Sequence, residues 1–193
     1  MTTARQQLDS LLRETPAAAG VRQTAAFEEV AHGRPRIVIY GTDRLGRLVL
    51  RGLSDAGREV VAFSDNDPSS WGKMVDGLPV VSPTDAASTY AHDSVFVVAI
   101  WHPTHTPLMS ALLAQLRSLD CSVVPFPVLF WRHAETFLPY FFWDAPKNLL
   151  QQRDDILAAF ELLSDDASRD VYTAQLRLRL HADFEAKIGR AHV

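Results

Sequence analysis

Cysteine is almost missing from this 193-residue chain. Cys121 stands alone, so no intramolecular disulfide and no thiolate cluster for a structural zinc can form. A reducing, cytoplasmic setting is the expectation. Neither sign of charge dominates: nineteen basic against twenty-three acidic residues leave a net charge of -4. That balance provides no general footprint for nucleic acid or an anionic membrane, and neither is expected as a partner. Long apolar runs are lacking too. The longest, residues 95–101, falls far short of the roughly 20 residues a membrane helix needs. The first sixteen residues interleave Arg5, Asp9, Arg13 and Glu14 with Leu8, Leu11 and Leu12, which does not read as a signal peptide. Catalytic signatures are absent as well. The sequence has no GxSxG elbow, no HExxH pair and no P-loop, and no tyrosine is followed four positions later by a lysine. What is present is 47% hydrophobic and 22% charged residues, the composition of a globular chain of one or two domains.

The pattern along the chain is an alternation of strands and helices. An amphipathic stretch over residues 3–14 is followed by a break at residues 16–20 and a short helix over 23–31. Ile37, Val38, Ile39 and Tyr40 then form a continuous apolar run stopped by Gly41, as expected of a central parallel strand covered on both faces. Leu45, Leu48, Val49 and Leu53 follow at helical spacing up to Gly57, and EVVAFS makes a second strand. Asp76-Gly77 marks a hairpin-like turn within residues 74–81. Ser82-Pro83 and Thr106-Pro107 both read as a helix cap followed by proline at the first helical position. Strands are expected at residues 94–100 and 122–125, and two helices at 147–163 and 166–184. The fold class is therefore α/β, an open and mainly parallel Rossmann-like sheet with helices on both faces, followed by a C-terminal helical connector. Residues 126–143 are dense in large rings. They are expected either to cover a sheet edge or to form a surface for self-association.

The candidate site lies in the first strand-to-helix turn, Gly41-Thr42-Asp43-Arg44-Leu45-Gly46. It keeps the first and third glycines of GxGxxG and has Asp43 at the second. The first glycine permits the tight turn and the third lets helix and strand pack closely. The second normally lets the backbone approach a pyrophosphate at the helix N-terminus. Two unit charges about 4 Å apart at an effective dielectric near 20 interact by roughly 4 kcal/mol, so Asp43 is expected to weaken a dinucleotide about a thousandfold. Arg44 or Arg47 offsets part of this, and Asp43→Gly is expected to restore the approach. Asp65 closes the second strand, where a Rossmann domain carries the acid that accepts hydrogen bonds from a ribose; Asp65-Asn66-Asp67-Pro68 is equally good turn chemistry. Trp101 and His102 end a later strand and would border the same crevice if the strand order reverses beside the first strand. His102 and His105 are three apart, but Pro103 between them and the lack of a nearby cysteine or carboxylate make a poor zinc shell. The cofactor-binding candidates are thus Gly41, Thr42, Asp43, Arg44, Gly46, Asp65, Asn66, Trp101 and His102, with no catalytic and no metal-ligating residue.

The segments IYGTDRLGRLVLRGL, VVAFSDNDPSSWGKMVDGLPVVSP, VFVVAIWHP, FLPYFF and RDVYTAQLRLRL together resemble the N-terminal region of FkbM-type methyltransferases, over residues 36–184. That resemblance implies a Rossmann-like domain and helical connector preceding a second domain, absent here, that binds S-adenosylmethionine. The parent protein would methylate an oxygen of a sugar, glycan or secondary metabolite, its small-molecule or glycan substrate. The family motif usually has glycine where Asp43 stands. The expected division is an N-terminal arm (1–33), a Rossmann-like nucleotide-binding-type domain (34–130), and an aromatic linker with helical connector (131–187). The last six residues, IGRAHV, are what the adapter codons ATC GGA AGA GCA CAC GTC encode. They are expected to be a sequencing artefact that truncates the reading frame. A stand-alone module that binds NAD or a nucleotide-sugar is the alternative. A dehydrogenase is the weakest reading, for want of a proton-transfer pair.

Overall fold

The computed structural model describes residues 2–101 and 108–184. The chain divides into two compact units, one of residues 25–137 and one of residues 1–24 with 138–193.

The unit of residues 25–137 is built on six strands: β1 (Arg36–Tyr40), β2 (Glu59–Ser64), β3 (Met74–Val75), β4 (Leu78–Val81), β5 (Ser94–Val98) and β6 (Ser122–Pro125). They line up as β3-β4-β2-β1-β5-β6, all parallel except the β3–β4 hairpin at the edge. The chain moves outward from β1 through β2, then returns to β5 on the other side of β1, so the order reverses beside β1. The apolar run of β1 is explained by its place: residues 37–40 are fully buried between β2 and β5. At the hairpin, Asp76 and Gly77 both take left-handed backbone angles (φ 48° and 84°), the turn that matches strand twist.

Helix α3 (Arg44–Asp55) packs on β1 and β2, and α5 (Met109–Arg117) on β5 and β6. They lie on opposite faces of the sheet. Phe63 reaches toward Gly46 of α3, whereas Tyr40, one residue beyond Phe63's register partner Ile39, bonds to Gln115 of α5. Helix α4 (Pro83–Tyr90) starts as expected, with Ser82 Oγ accepting from the Asp85 N–H at 3.0 Å. The expected cap at Thr106-Pro107 lies outside the described residues. Cys121 is buried, and burial pushes its thiol up to about 11.

After β6 the chain turns directly into α6 (Phe126–Arg132) and α7 (Ala134–Phe137). Of the two expectations for the aromatic segment, its first part meets the covering one, because Phe126, Phe130, Trp131 and Phe137 are all buried. Phe130 stacks on Phe137 at 4.5 Å between centroids, and Phe137 fills a hollow over Gly52 of α3 that any Cβ there would close. Of the rings beyond residue 137, Trp143 is buried, while Phe141 and Phe142 are exposed.

The other unit holds α1 (Ala4–Leu11), the start of α2 (Pro16–Ala31), α8 (Pro146–Gln151), α9 (Arg153–Glu161) and α10 (Asp166–His181). A break at residues 16–20 was expected, but α2 is one helix from Pro16. Thr15 Oγ1 caps the Ala18 N–H at 3.2 Å, so Pro16 occupies the first helical position, where no N–H is needed. The expected helix over 147–163 is instead two, broken at Gln152 (φ −95°, ψ 28°). Leu8, Leu12, Leu150, Phe160 and Leu180 form much of the core. Arg22 grips both oxygens of Glu14 at 2.7–2.8 Å and donates to the Leu180 carbonyl at 2.9 Å, tying α2 to the end of α10. No helix among the described residues is long and apolar enough to cross a membrane.

His133, between α6 and α7, has a buried Nε2 with no hydrogen-bond partner, and burial, aided by Arg132 and Arg58, lowers its pKa. The unfolded chain therefore takes up this proton at a higher pH than the folded one. The stabilising contribution is complete above the ordinary imidazole range and is lost as pH falls through that range toward the folded value. Urea midpoints are expected to drop between about pH 7 and about pH 5.5, and His133→Gln to shrink that drop. An unchanged pH profile in the variant would assign it to other groups, among them His181, whose pKa burial also lowers.

Candidate functional site at the carboxyl edge of the sheet

The ends of β1, β2 and β5 meet at one edge, and Gly41 sits at the centre of it. Its N–H donates to the Ser64 carbonyl at 2.8 Å, and the Ala99 N–H donates to the Tyr40 carbonyl at 2.9 Å. Gly41 adopts φ 112°, and a Cβ there would stand 2.5 Å from Ile100 Cγ1 and 3.0 Å from the Ala99 carbonyl oxygen. The space beside Gly41 is therefore filled by Ala99 and Ile100, just past β5. Gly46, in the first turn of α3, presses on Gly41 itself. A Cβ at Gly46 would fall far inside contact distance of the Gly41 carbonyl oxygen and 3.1 Å from its carbonyl carbon. Both glycines of the partial motif are thus required by packing between strand, turn and helix.

Asp43 is the N-cap residue of α3 and is exposed, with no side-chain bond to the helix. Its carboxylate stands at the positive end of the helix, where it offsets the dipole in place of an anionic ligand. Arg44 is exposed beside it. Arg47 turns away to Asp76 in the hairpin turn at 3.1 Å.

Asp65 is spoken for by the chain. Its Oδ2 accepts from the Thr42 Oγ1 hydroxyl at 2.8 Å and from the Thr42 N–H at 3.2 Å; its Oδ1 accepts from the Asp67 N–H at 2.9 Å. The carbonyl of the same residue accepts from Trp71 Nε1 at 2.8 Å, which leaves Trp71 partly exposed beside the edge. Asn66 forms a reciprocal amide pair with Gln115 of α5, at 2.9 and 3.0 Å, and the Tyr40 hydroxyl donates to the same Gln115 oxygen at 3.2 Å. Burial raises the Tyr40 pKa, with the Asp65 carboxylate adding to the effect, so this hydroxyl stays a donor.

The structure thus gathers Gly41, Thr42, Asp43, Arg44, Gly46, Asp65 and Asn66 around one edge. Trp101 lies just past β5 with its ring edge-on to Phe126 at 6.1 Å. His102 lies outside the described residues. Sequence reasoning missed Tyr40, Ile100 and Gln115. Gln115 falls between Leu112 and Leu116 on the border of the apolar stripe of α5, which is a readable sign of partial burial; its partner Asn66, 49 positions away, is not readable from periodicity.

An open, mostly parallel α/β sheet whose strand order reverses beside β1 is the doubly wound class, in which ligands sit at the carboxyl ends of the strands near the reversal. Within that class the chain is similar to the methyltransferase FkbM from Methylobacillus flagellatus KT, with a TM-score of 0.71 and 20% sequence identity, over 93% of this chain and 50% of that one. The chain thus spans about half the length of the solved structure it matches, and at that identity the likeness establishes a shared, methyltransferase-like fold. No family model matches the sequence, and no curated protein matches it.

Gly46→Ala is expected to cost about 3 kcal/mol, because the clash is with backbone that cannot rotate away. Gly57→Ala, where a Cβ meets nothing within 4 Å and only the left-handed φ of 67° is strained, should cost about 1 kcal/mol. Equilibrium urea unfolding of the two variants checks this, and equal losses would mean that the Gly41–Gly46 approach is not the tight point of the turn.

Proposed function

We propose that this chain is the accessory Rossmann-like part, with its helical connector, of an FkbM-type methyltransferase. The whole protein would transfer a methyl group from S-adenosylmethionine to an oxygen of a sugar, glycan or secondary metabolite in the cytoplasm. The observation that carries the reading is the likeness to FkbM over 93% of this chain against only half of the other. The five sequence segments quoted above point to the same family independently. The methyl donor is assigned to the portion of the parent outside this chain, because Asp65, the one acid placed to accept from a ribose, is already engaged by Thr42 and the Asp67 N–H. The buried, unactivated Cys121 thiol suits a reducing compartment.

The 193-residue chain is expected to give no calorimetric binding signal with S-adenosylmethionine up to millimolar concentration and no transfer of labelled methyl groups. The uninterrupted gene is expected to continue into a strand ending in a DxGxxxG-like loop, and its full product to bind the donor. Saturable donor binding by this chain, or a natural stop directly after it, would overturn the proposal.

A further inference from the structure

We infer that Asp65, which holds the position of a ribose-binding acid, is a structural strut, and that the Gly41–Gly46 turn is an anchored corner of the fold whose described residues do not fit an adenine dinucleotide. Four features of this edge carry the inference.

The first is the state of the Asp65 carboxylate. Two bonds from Thr42 and one from the Asp67 N–H reach both carboxylate oxygens and take three of about four acceptor positions. Bonds to a charged acceptor are the strong ones, and they join the turn after β1 to the turn after β2. The second is Ile100, whose side chain fills the space beside Gly41 and packs the turn against the segment just past β5. The third is Gly46, whose lack of a Cβ is used by the Gly41 carbonyl. The fourth is Asp43, an exposed negative charge at the helix N-terminus, where a dinucleotide presents its own. On the α5 side, the Asn66–Gln115 pair and the Tyr40 hydroxyl satisfy one another, so that side of the edge also closes on the chain's own groups. Gly41, Thr42 and Gly46 of the partial motif are engaged by the chain itself. The inference rests on these contacts alone and does not depend on the methyltransferase reading.

It differs from the expectation drawn from sequence at one testable point. If Asp43 were the only obstacle, Asp43→Gly would create a dinucleotide site. With Ile100 and the Thr42–Asp65 bonds in place, Asp43→Gly is expected to show no saturable NADH binding by calorimetry up to about 1 mM. In the otherwise unchanged chain, Asp65→Asn is expected to lower Tm by about 4–8 °C through loss of the charge-assisted bonds. Thr42→Val should lower it by about half as much, and Thr42→Ser should leave it unchanged, because serine keeps the hydroxyl. If Asp65→Asn does not fold, the Thr42→Val and Thr42→Ser pair decides the strut role alone. Saturable NADH binding by Asp43→Gly that disappears in Asp43→Gly/Asp65→Ala would overturn the inference whatever the melting data. So would Thr42→Val melting with the unsubstituted chain.

Discussion

The carbonyl of Gly41 occupies the place a side chain on Gly46 would need, and this close approach sets how α3 leaves the sheet. A helix that starts one residue later, or carries a methyl group there, could not lay Leu45, Val49 and Leu53 onto β1 and β2, where all three are buried. From that corner the rest of the sheet follows. Helix α3 covers one face, its Gly52 makes the hollow that Phe137 fills, and the ring stack of Phe130 on Phe137 holds residues 126–137 to the same unit. A backbone-to-backbone contact of this kind is unforgiving because neither partner has a rotamer to change.

The edge of the sheet near that corner has the layout of a ligand site and the bonding of a structural joint. In ligand-binding sheets of this class, the second turn glycine lets the backbone approach a pyrophosphate and the acid after the second strand accepts from a ribose hydroxyl. Here the acid bonds to Thr42, the space beside Gly41 holds Ile100, and the amides of Asn66 and Gln115 face each other. Fold and site are separate matters in this class, and the site is the part that decides function.

In the helical unit the organising contact is electrostatic. Arg22 joins Glu14 through two charge-assisted bonds and caps the Leu180 carbonyl near the end of α10. Hydrogen bonding to Arg22 lowers the pKa of Glu14, so this joint is intact at neutral pH and weakens only in acid. The apolar core beneath it, from Leu8 and Leu12 to Phe160 and Leu180, comes from segments far apart in sequence, and no local pattern predicts which of them meet.

The sequence alone determined the class of the fold, because its signals are local. Four-residue apolar runs closed by glycine, the Ser82-Pro83 cap and the Asp76-Gly77 turn each specify backbone conformation within a few residues. It also determined that Gly41, Asp43 and Asp65 share an edge, since in a parallel sheet the ends of successive strands lie together. Pro16 misled because a proline reads both as a breaker and as a first helical residue, and only the Thr15 cap distinguishes the two. Tertiary structure alone decided what the edge residues do. Whether an aspartate waits for a ribose or holds a threonine depends on a hydroxyl 23 residues away, and what lies beside Gly41 depends on Ile100, in the segment just past β5. Those are questions of distance between chain segments, and hydrophobic period and turn chemistry carry no information about them.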